Sequence, residues 1–241
     1  MTNQQPPAPP LHRVALYWAP AADSPLAQLG AVWLGRDITG AAVAARPAIA
    51  GFSDAELTEL TKAPRHYGLH ATLKPPFSLA DGVDLSQLEA ELSAATEDMV
   101  AFALPRLSLT WLDGFLALVP SAPCPALDAL AAACVQSLDH FRRPASASEL
   151  TRRRSSGLSA RQDAHLLRWG YPYVLADFRF HLTLTGPIEA ADAQQLIPQL
   201  ADLFAPVLGQ EVAVSEITLF GQRTAEMPFQ QLRRFRFGKT A

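Results

Sequence analysis

The chain is poor in the features that commonly announce a mechanism. It has two cysteines, Cys124 and Cys134, and no CxxC pair. That argues against a disulfide framework and a thiolate zinc site, and fits buried thiols in a reducing cytoplasm. No GxGxxG, GxxxxGK[ST], GxSxG or HExxH occurs, which removes the common dinucleotide, P-loop, serine-hydrolase and zinc-protease readings. Charge is sparse, at 18% of residues and a formal net of −3, so wholesale attraction to nucleic acid or a membrane surface is not expected. The longest apolar stretch, around Leu127 to Val135, is too short to span a bilayer. Residues 1–10 (MTNQQPPAPP) have neither a basic start nor an apolar run, and read as a disordered polar tail without a targeting signal. A cytoplasmic monomer with no cofactor and no metal is the expectation.

What is present is a repeated pentapeptide. Leu69-His70-Ala71-Thr72-Leu73 and Phe180-His181-Leu182-Thr183-Leu184 share one pattern: apolar, His, apolar, Thr, Leu. A strand has a side-chain period of two, so His and Thr of each copy share one face while Ala71 or Leu182 and the flanking apolar residues face a core. Two copies place two imidazoles and two hydroxyls where they can surround one cavity.

The surroundings repeat as well. Arg13 to Trp18 reads as a strand, and Pro25 opens a helix through Leu34 that Gly35 ends. Ser53 with Glu56 forms a capping box for a helix that stops before Pro64. The first His-x-Thr strand is closed by Pro75-Pro76. Leu85, Leu88 and Leu92 then mark a helix, and Phe102–Thr110 and Phe115–Val119 mark two strands around an Asp113-Gly114 turn. A helix from Pro125 to Phe141 ends the first half. The second half offers a motif strand from Val174 to Thr185, a helix over Ala191–Phe204, a strand over Glu211–Phe220 and its hairpin partner Gln230–Phe237. The two histidines are 111 residues apart, and the same offset carries Leu109 onto Phe220. Such a duplication predicts an α+β fold: bilobed β-α-β-β units, with two antiparallel sheets forming a central cleft and helices on the outer faces. The expected limits are one domain over 11–241, with lobe 1 about 11–143, an Arg-rich helical insertion about 144–170, and lobe 2 about 171–241.

The insertion reads as two short helices with Ser148 and Ser159 as N-caps. Seven arginines lie between 142 and 168 against Glu149 and Asp163. A lid that recruits additional phosphates and an ordinary solvated face are both consistent with that run.

At the paired motifs the chain resembles the two-histidine (2H) phosphoesterase superfamily, which carries one His-x-Thr/Ser motif per lobe. The resemblance runs from about Arg13 onward. Within it, Arg65-His66-Tyr67-Gly68-Leu69-His70-Ala71-Thr72-Leu73-Lys74-Pro75-Pro76-Phe77, Trp33-Leu34-Gly35-Arg36-Asp37 and Arg168-Trp169-Gly170-Tyr171-Pro172-Tyr173-Val174 running into Phe178-Arg179-Phe180-His181 look like a group of uncharacterised bacterial proteins associated with phosphonate-use operons. His66 and Leu69 stand where that group suggests Arg and Phe.

The resemblance implies a metal-independent phosphodiesterase that opens a small cyclic phosphate, phosphoribosyl 1,2-cyclic phosphate being the suggested substrate. His70 and His181 are then the acid/base pair, since imidazole moves protons both ways near neutrality. Thr72 and Thr183 would hold the non-bridging phosphate oxygens. Lys74, two beyond Thr72, and Arg179, two before His181, lie on the expected cleft face, as phosphate ligands or rim charges. Tyr17, Tyr67 and Tyr173 are candidates for substrate contact, with plain packing as the alternative. Two other functions stay open: processing of RNA 2′,3′-cyclic or 2′,5′-linked ends, and a non-catalytic sensor of a phosphorylated ligand.

Overall fold

The alternation in RVALYW seats the central strand. In the computed structural model, which describes residues 11–239, β1 (Arg13–Trp18) turns Val14, Leu16 and Trp18 into the main hydrophobic core. Ala15 and Tyr17 face a second, smaller apolar cluster with Ile38, Phe220 and Phe229. The tail expected over 1–10 lies outside the described residues.

Local rules explain most elements that follow. In α1 (Pro25–Leu34), Ser24 caps the first turn, Pro25 occupies a position that needs no N–H donor, and Gly35 ends the helix at φ 65°. Ser53 and Glu56 form the capping box of α2 (Asp54–Leu60). That helix ends before Pro64, as expected, and a separate turn, α3 (Lys62–Arg65), carries Pro64 because a first-turn amide has no intrahelical partner to lose. The first motif strand, β2 (Ala71–Phe77), likewise runs through Pro75 and Pro76, where a stop was expected. It is an edge strand, so the missing donors need not break a ladder.

After α4 (Leu85–Glu97), the strand expected over Phe102–Thr110 is split at Pro105-Arg106 into β3 (Phe102–Leu104) and β4 (Leu107–Leu112), followed by β5 (Phe115–Pro120) and α5 (Pro125–Ser137). The insertion forms α6 (Ala147–Arg154) and α7 (Ala160–Trp169). Ser146, not Ser148, caps α6, because Glu149 at its third position answers Ser146 in a capping box. Of the strand expected over Val174–Thr185 only β6 (Leu182–Thr183) pairs, since a 3₁₀ turn takes Leu175–Asp177. Then follow α8 (Ala190–Leu208), β7 (Val212–Val214), β8 (Glu216–Gln222) and β9 (Gln230–Arg236).

The fold is α+β, with antiparallel sheets ordered β2-β1-β8-β9 and β4-β5-β6 and a short β3-β7 pair. Leu69, Ala71, Leu73, Leu182 and Leu184 join one core with α1, α2, α4, α5 and α8, so the helices cover the faces away from the motif histidines.

The pairing also shows how the halves combine. β1 with β2 matches β5 with β6: Tyr17 lies opposite Thr72 and Thr218, and Ala117 lies opposite Thr183 and Thr110. The repeat therefore begins one strand before the motif, as β1–β4 and β5–β8, with β9 added. Its last strand crosses over: β4 completes the sheet of β5 and β6, and β8 completes that of β1 and β2. The limits expected at 11–143 and 171–241 therefore do not delimit the two sheets, because each draws strands from both halves. Ala103 facing Ala213 in the β3-β7 pair marks the approximate two-fold between repeats. Among the described residues no helix is long and apolar enough to cross a membrane, and both cysteines are free.

Candidate active site

His70 and His181 are oriented by the same device. His70 Nδ1 lies 2.9 Å from the Gly68 carbonyl, and His181 Nδ1 lies 2.7 Å from that of Arg179. A carbonyl only accepts, so each Nδ1 carries the proton and donates, leaving Nε2 as the basic nitrogen. Thr72 Oγ1 stands 3.5 Å from His70 Nε2. Gly68 makes the first anchor possible: its φ is +76°, and a Cβ there would come within 2.3 Å of the Ile38 side chain.

The surroundings of the two imidazoles differ. Tyr17 packs on His70 with ring centroids 3.9 Å apart, and Tyr67 lies on another side at 5.6 Å. Phe115 approaches His181 at 5.6 Å. Burial pushes the His70 pKa down to about 4, against the pull of the Gly68 carbonyl, and the charges of His181 and Arg36 add to the depression. Burial also lowers the His181 pKa and raises that of the Tyr17 phenol.

Two cavities adjoin these histidines. One, about 530 Å³, is lined by His181, Thr72, Arg179 and Tyr173; the other, about 430 Å³, by His70, Thr72, Thr183, Tyr17 and Tyr67. Both are also walled by Pro75, Phe115 and Tyr171, and together they make one cleft between the sheets. The structure thus gathers eight of the nine residues singled out from sequence. Tyr17 serves as a buried wall, whereas Tyr173 stays exposed. Arg179 sits at the rim, ion-paired with Asp113 at 3.2 Å.

Lys74 is the exception. A register shift between Leu16 and Tyr17 breaks the alternation after Thr72, so Lys74 pairs with core-facing Leu16 and turns away from the cleft. It is 2% exposed, donates to the Val135 carbonyl at 3.0 Å, and lies 3.8 Å from Asp139. Burial lowers its pKa to about 8 despite that carboxylate.

Among the lining residues that sequence reasoning did not assign to the site are Tyr171, Phe115, Arg13 and Arg153. Tyr171 follows Gly170, whose left-handed φ of 73° ends α7 and turns the chain toward the cleft. Phe115 opens the strand paired to β6. Arg13 and Arg153 reach the cavity beside His70. The Arg-Trp-Gly-Tyr stretch held the signal for Tyr171; nothing local set Arg153 apart from Arg152 and Arg154.

This two-sheet α+β arrangement, with one histidine motif beside each sheet, is the frame on which the comparisons fall. The chain belongs to the family described as "Protein of unknown function (DUF1045)", whose model matches residues 72–230. It is 37% identical over 229 residues to a protein of Janthinobacterium sp. (strain Marseille) named ribose 1,5-bisphosphate phosphokinase PhnN, covering 93% of this chain and 51% of that one. A protein of the same name from Laribacter hongkongensis (strain HLHK9) is 35% identical over 221 residues, covering 92% and 51%. The chain spans about half the length of these curated relatives. Among solved structures, E. coli LigT in apo form is similar at a TM-score of 0.45 and 17% identity, and its NADP+ complex at 0.44 and 16%; each match covers 95% of this chain and 99% of the other.

Proposed function

We propose that the protein is a phosphodiesterase that opens a small cyclic phosphate to a monoester by acid–base catalysis between His70 and His181. The observation that carries this reading is the shared orientation of the two motifs. Each imidazole is fixed through Nδ1 on a backbone carbonyl, with its basic Nε2 available beside a threonine lining one cleft. In the proposed step, a water oxygen attacks phosphorus and passes a proton to one Nε2. The P–O bond to the sugar breaks, and the departing oxygen takes a proton from Nε2 of the other histidine, which enters the step as imidazolium with both nitrogens protonated and leaves it neutral. Thr72 and Thr183 hold the non-bridging oxygens as charge develops. No three His, Cys, Asp or Glu side chains converge among the described residues, so the reading assigns proton transfer to the histidines alone.

For the substrate we propose phosphoribosyl 1,2-cyclic phosphate. The relatives' name refers to a kinase acting on ribose 1,5-bisphosphate, and this chain has no complete GxxxxGK[ST] loop for phosphoryl transfer. Breaking the P–O2 bond of that cyclic ester yields ribose 1,5-bisphosphate, the compound in the relatives' name.

The test is turnover of ribose 1,2-cyclic and nucleoside 2′,3′-cyclic phosphates in excess EDTA, with His70→Ala and His181→Ala in parallel. Each variant is expected to lose about 10²- to 10⁴-fold in rate while keeping its circular dichroism spectrum. Full activity in either variant, or its disappearance with EDTA, overturns the mechanism. Preference for the nucleoside esters moves the substrate toward RNA ends.

A further inference from the structure

The cleft's arginines fall into two groups. Beside His181, the charges of Arg161 and Arg179 are answered by Asp177 at 2.8 Å and Asp113 at 3.2 Å. Beside His70, Arg13 and Arg153 have no carboxylate within ion-pair distance among the described residues, although they line one cavity. Glu149, one turn before Arg153, is held in the capping box by Ser146.

Both guanidiniums are nonetheless positioned. Arg13 Nε donates to the buried Gln222 Oε1 at 3.0 Å, and the guanidinium carbon lies 5.6 Å from the Phe229 ring centroid. Arg153 lies over the Tyr171 ring, 4.7 Å from its centroid, and is half-buried, unlike its exposed neighbours Arg152 and Arg154. Among the described residues, the terminal nitrogens of Arg13 and the whole Arg153 guanidinium meet no protein acceptor. Burial lowers the Arg153 pKa, with Arg152 and then Arg13 adding to the depression and Tyr171 and Glu149 opposing it. Two cations held near one another with no ion-paired carboxylate among the described residues fit an anion brought by the ligand.

We infer that Arg13 and Arg153 form a second anion subsite, which binds a phosphate monoester carried by the substrate some distance from the ester that His70 and His181 open. This rests on the cyclic-phosphate reading and adds the feature by which the cleft selects a doubly phosphorylated sugar over the same sugar with one phosphate. The subsite joins the two halves of the chain at the ligand, since Arg13 comes from β1 and Arg153 from the insertion. α6 thereby becomes a wall of the site.

Binding separates this inference from catalysis. Calorimetry with ribose 1,5-bisphosphate and ribose 1-phosphate is measured on the wild type and on Arg13→Gln, Arg153→Gln and Arg152→Gln. The expected result is at least tenfold tighter binding of the bisphosphate by the wild type, about 1.4 kcal/mol. Most of that preference should vanish in Arg13→Gln and Arg153→Gln and persist in Arg152→Gln, which removes the same charge from the same helix. Melting temperatures report whether each variant is folded. Equal binding of the two sugars by the wild type overturns the subsite, as does a preference unchanged in folded Arg13→Gln and Arg153→Gln. Loss of preference in all three variants also overturns it, as general electrostatics. Turnover of ribose 1,2-cyclic phosphate with and without a 5-phosphate is then read separately. Failure to open either ester counts against the catalytic reading, while an Arg-dependent binding preference sustains the subsite.

Discussion

Tyr17 packs its ring on His70 at 3.9 Å, whereas Ala117 holds the matching place in the sheet of His181. Each residue lies between a pair of threonines in its ladder, so the duplication is kept in the backbone and broken in the side chain. One histidine is walled by a buried phenol, while the matching strand position in the other sheet carries only the methyl of Ala117.

That wall predicts a graded response at residue 17. Tyr17→Phe keeps the ring and is expected to hold kcat/KM within about threefold, whereas Tyr17→Ala opens the wall and should lose at least tenfold, about 1.4 kcal/mol in the barrier. NMR titration of the His70 ring should show its pKa rising from about 4 toward the ordinary 6.5 in Tyr17→Ala and staying low in Tyr17→Phe. An unmoved pKa in folded Tyr17→Ala contradicts the account.

The depressed His70 pKa also has a signature in stability. The unfolded chain protonates this ring near 6.5 and the folded protein only near 4, so the unfolded state binds more protons between those values. Stability from His70 is complete above about pH 6.5, falls as pH drops through the window, and is lost below about pH 4. Its size is up to about 3 kcal/mol. Urea unfolding at intervals from pH 4 to 7 should show a shallower slope for His70→Gln than for the wild type. Parallel slopes would rule the contribution out.

Lys74 supplies a prediction in which stability and catalysis part. It lies on the core side against α5, so Lys74→Met should leave kcat/KM within twofold. It removes the hydrogen bond to Val135 and a neighbour of Asp139, which still holds Arg142. A loss of about 1–3 kcal/mol in unfolding free energy is expected. A large kinetic defect in a folded Lys74→Met protein would return Lys74 to the site.

Gly68→Ala tests the anchoring of His70. The new methyl meets Ile38 in a left-handed backbone, and relief of that clash moves the carbonyl that holds Nδ1. The expected outcome is a fall in kcat of tenfold or more with KM within threefold, plus about 1–3 kcal/mol lost in stability. A KM effect alone would place Gly68 in binding.

Much of the site was legible because a strand's period of two needs no tertiary knowledge. His70 with Thr72, and His181 with Thr183, share a face whatever their sheets pair with. The same reasoning failed at Lys74, where a bulge set by pairing with β1 reverses the alternation. Helix starts at Pro25, Ser53 and Ser159 follow from local backbone and capping rules and were readable. The passage of β2 through Pro75-Pro76 depends on its edge position, which no local pattern records. The offset between repeats revealed the duplication but not which copy supplies each strand, and that choice decides the two sheets. In the insertion, Arg153 differs from its neighbours only by lying over Tyr171, a contact made after α7 has turned back at Gly170.

The exchange of β4 and β8 governs when the site comes into being. Arg13 pairs with Gln222, so the sheet carrying His70 stays incomplete until a segment more than two hundred residues later has been synthesised. The sheet carrying His181 needs β6 to close on β5 across the whole insertion. On a ribosome neither sheet can be completed early: β2 can pair with one edge of β1 (RVALYW), but the other edge waits for β8. Catalytic competence should therefore arrive late and all at once, with β8, and the interval before it is the period in which this protein most needs protection from aggregation.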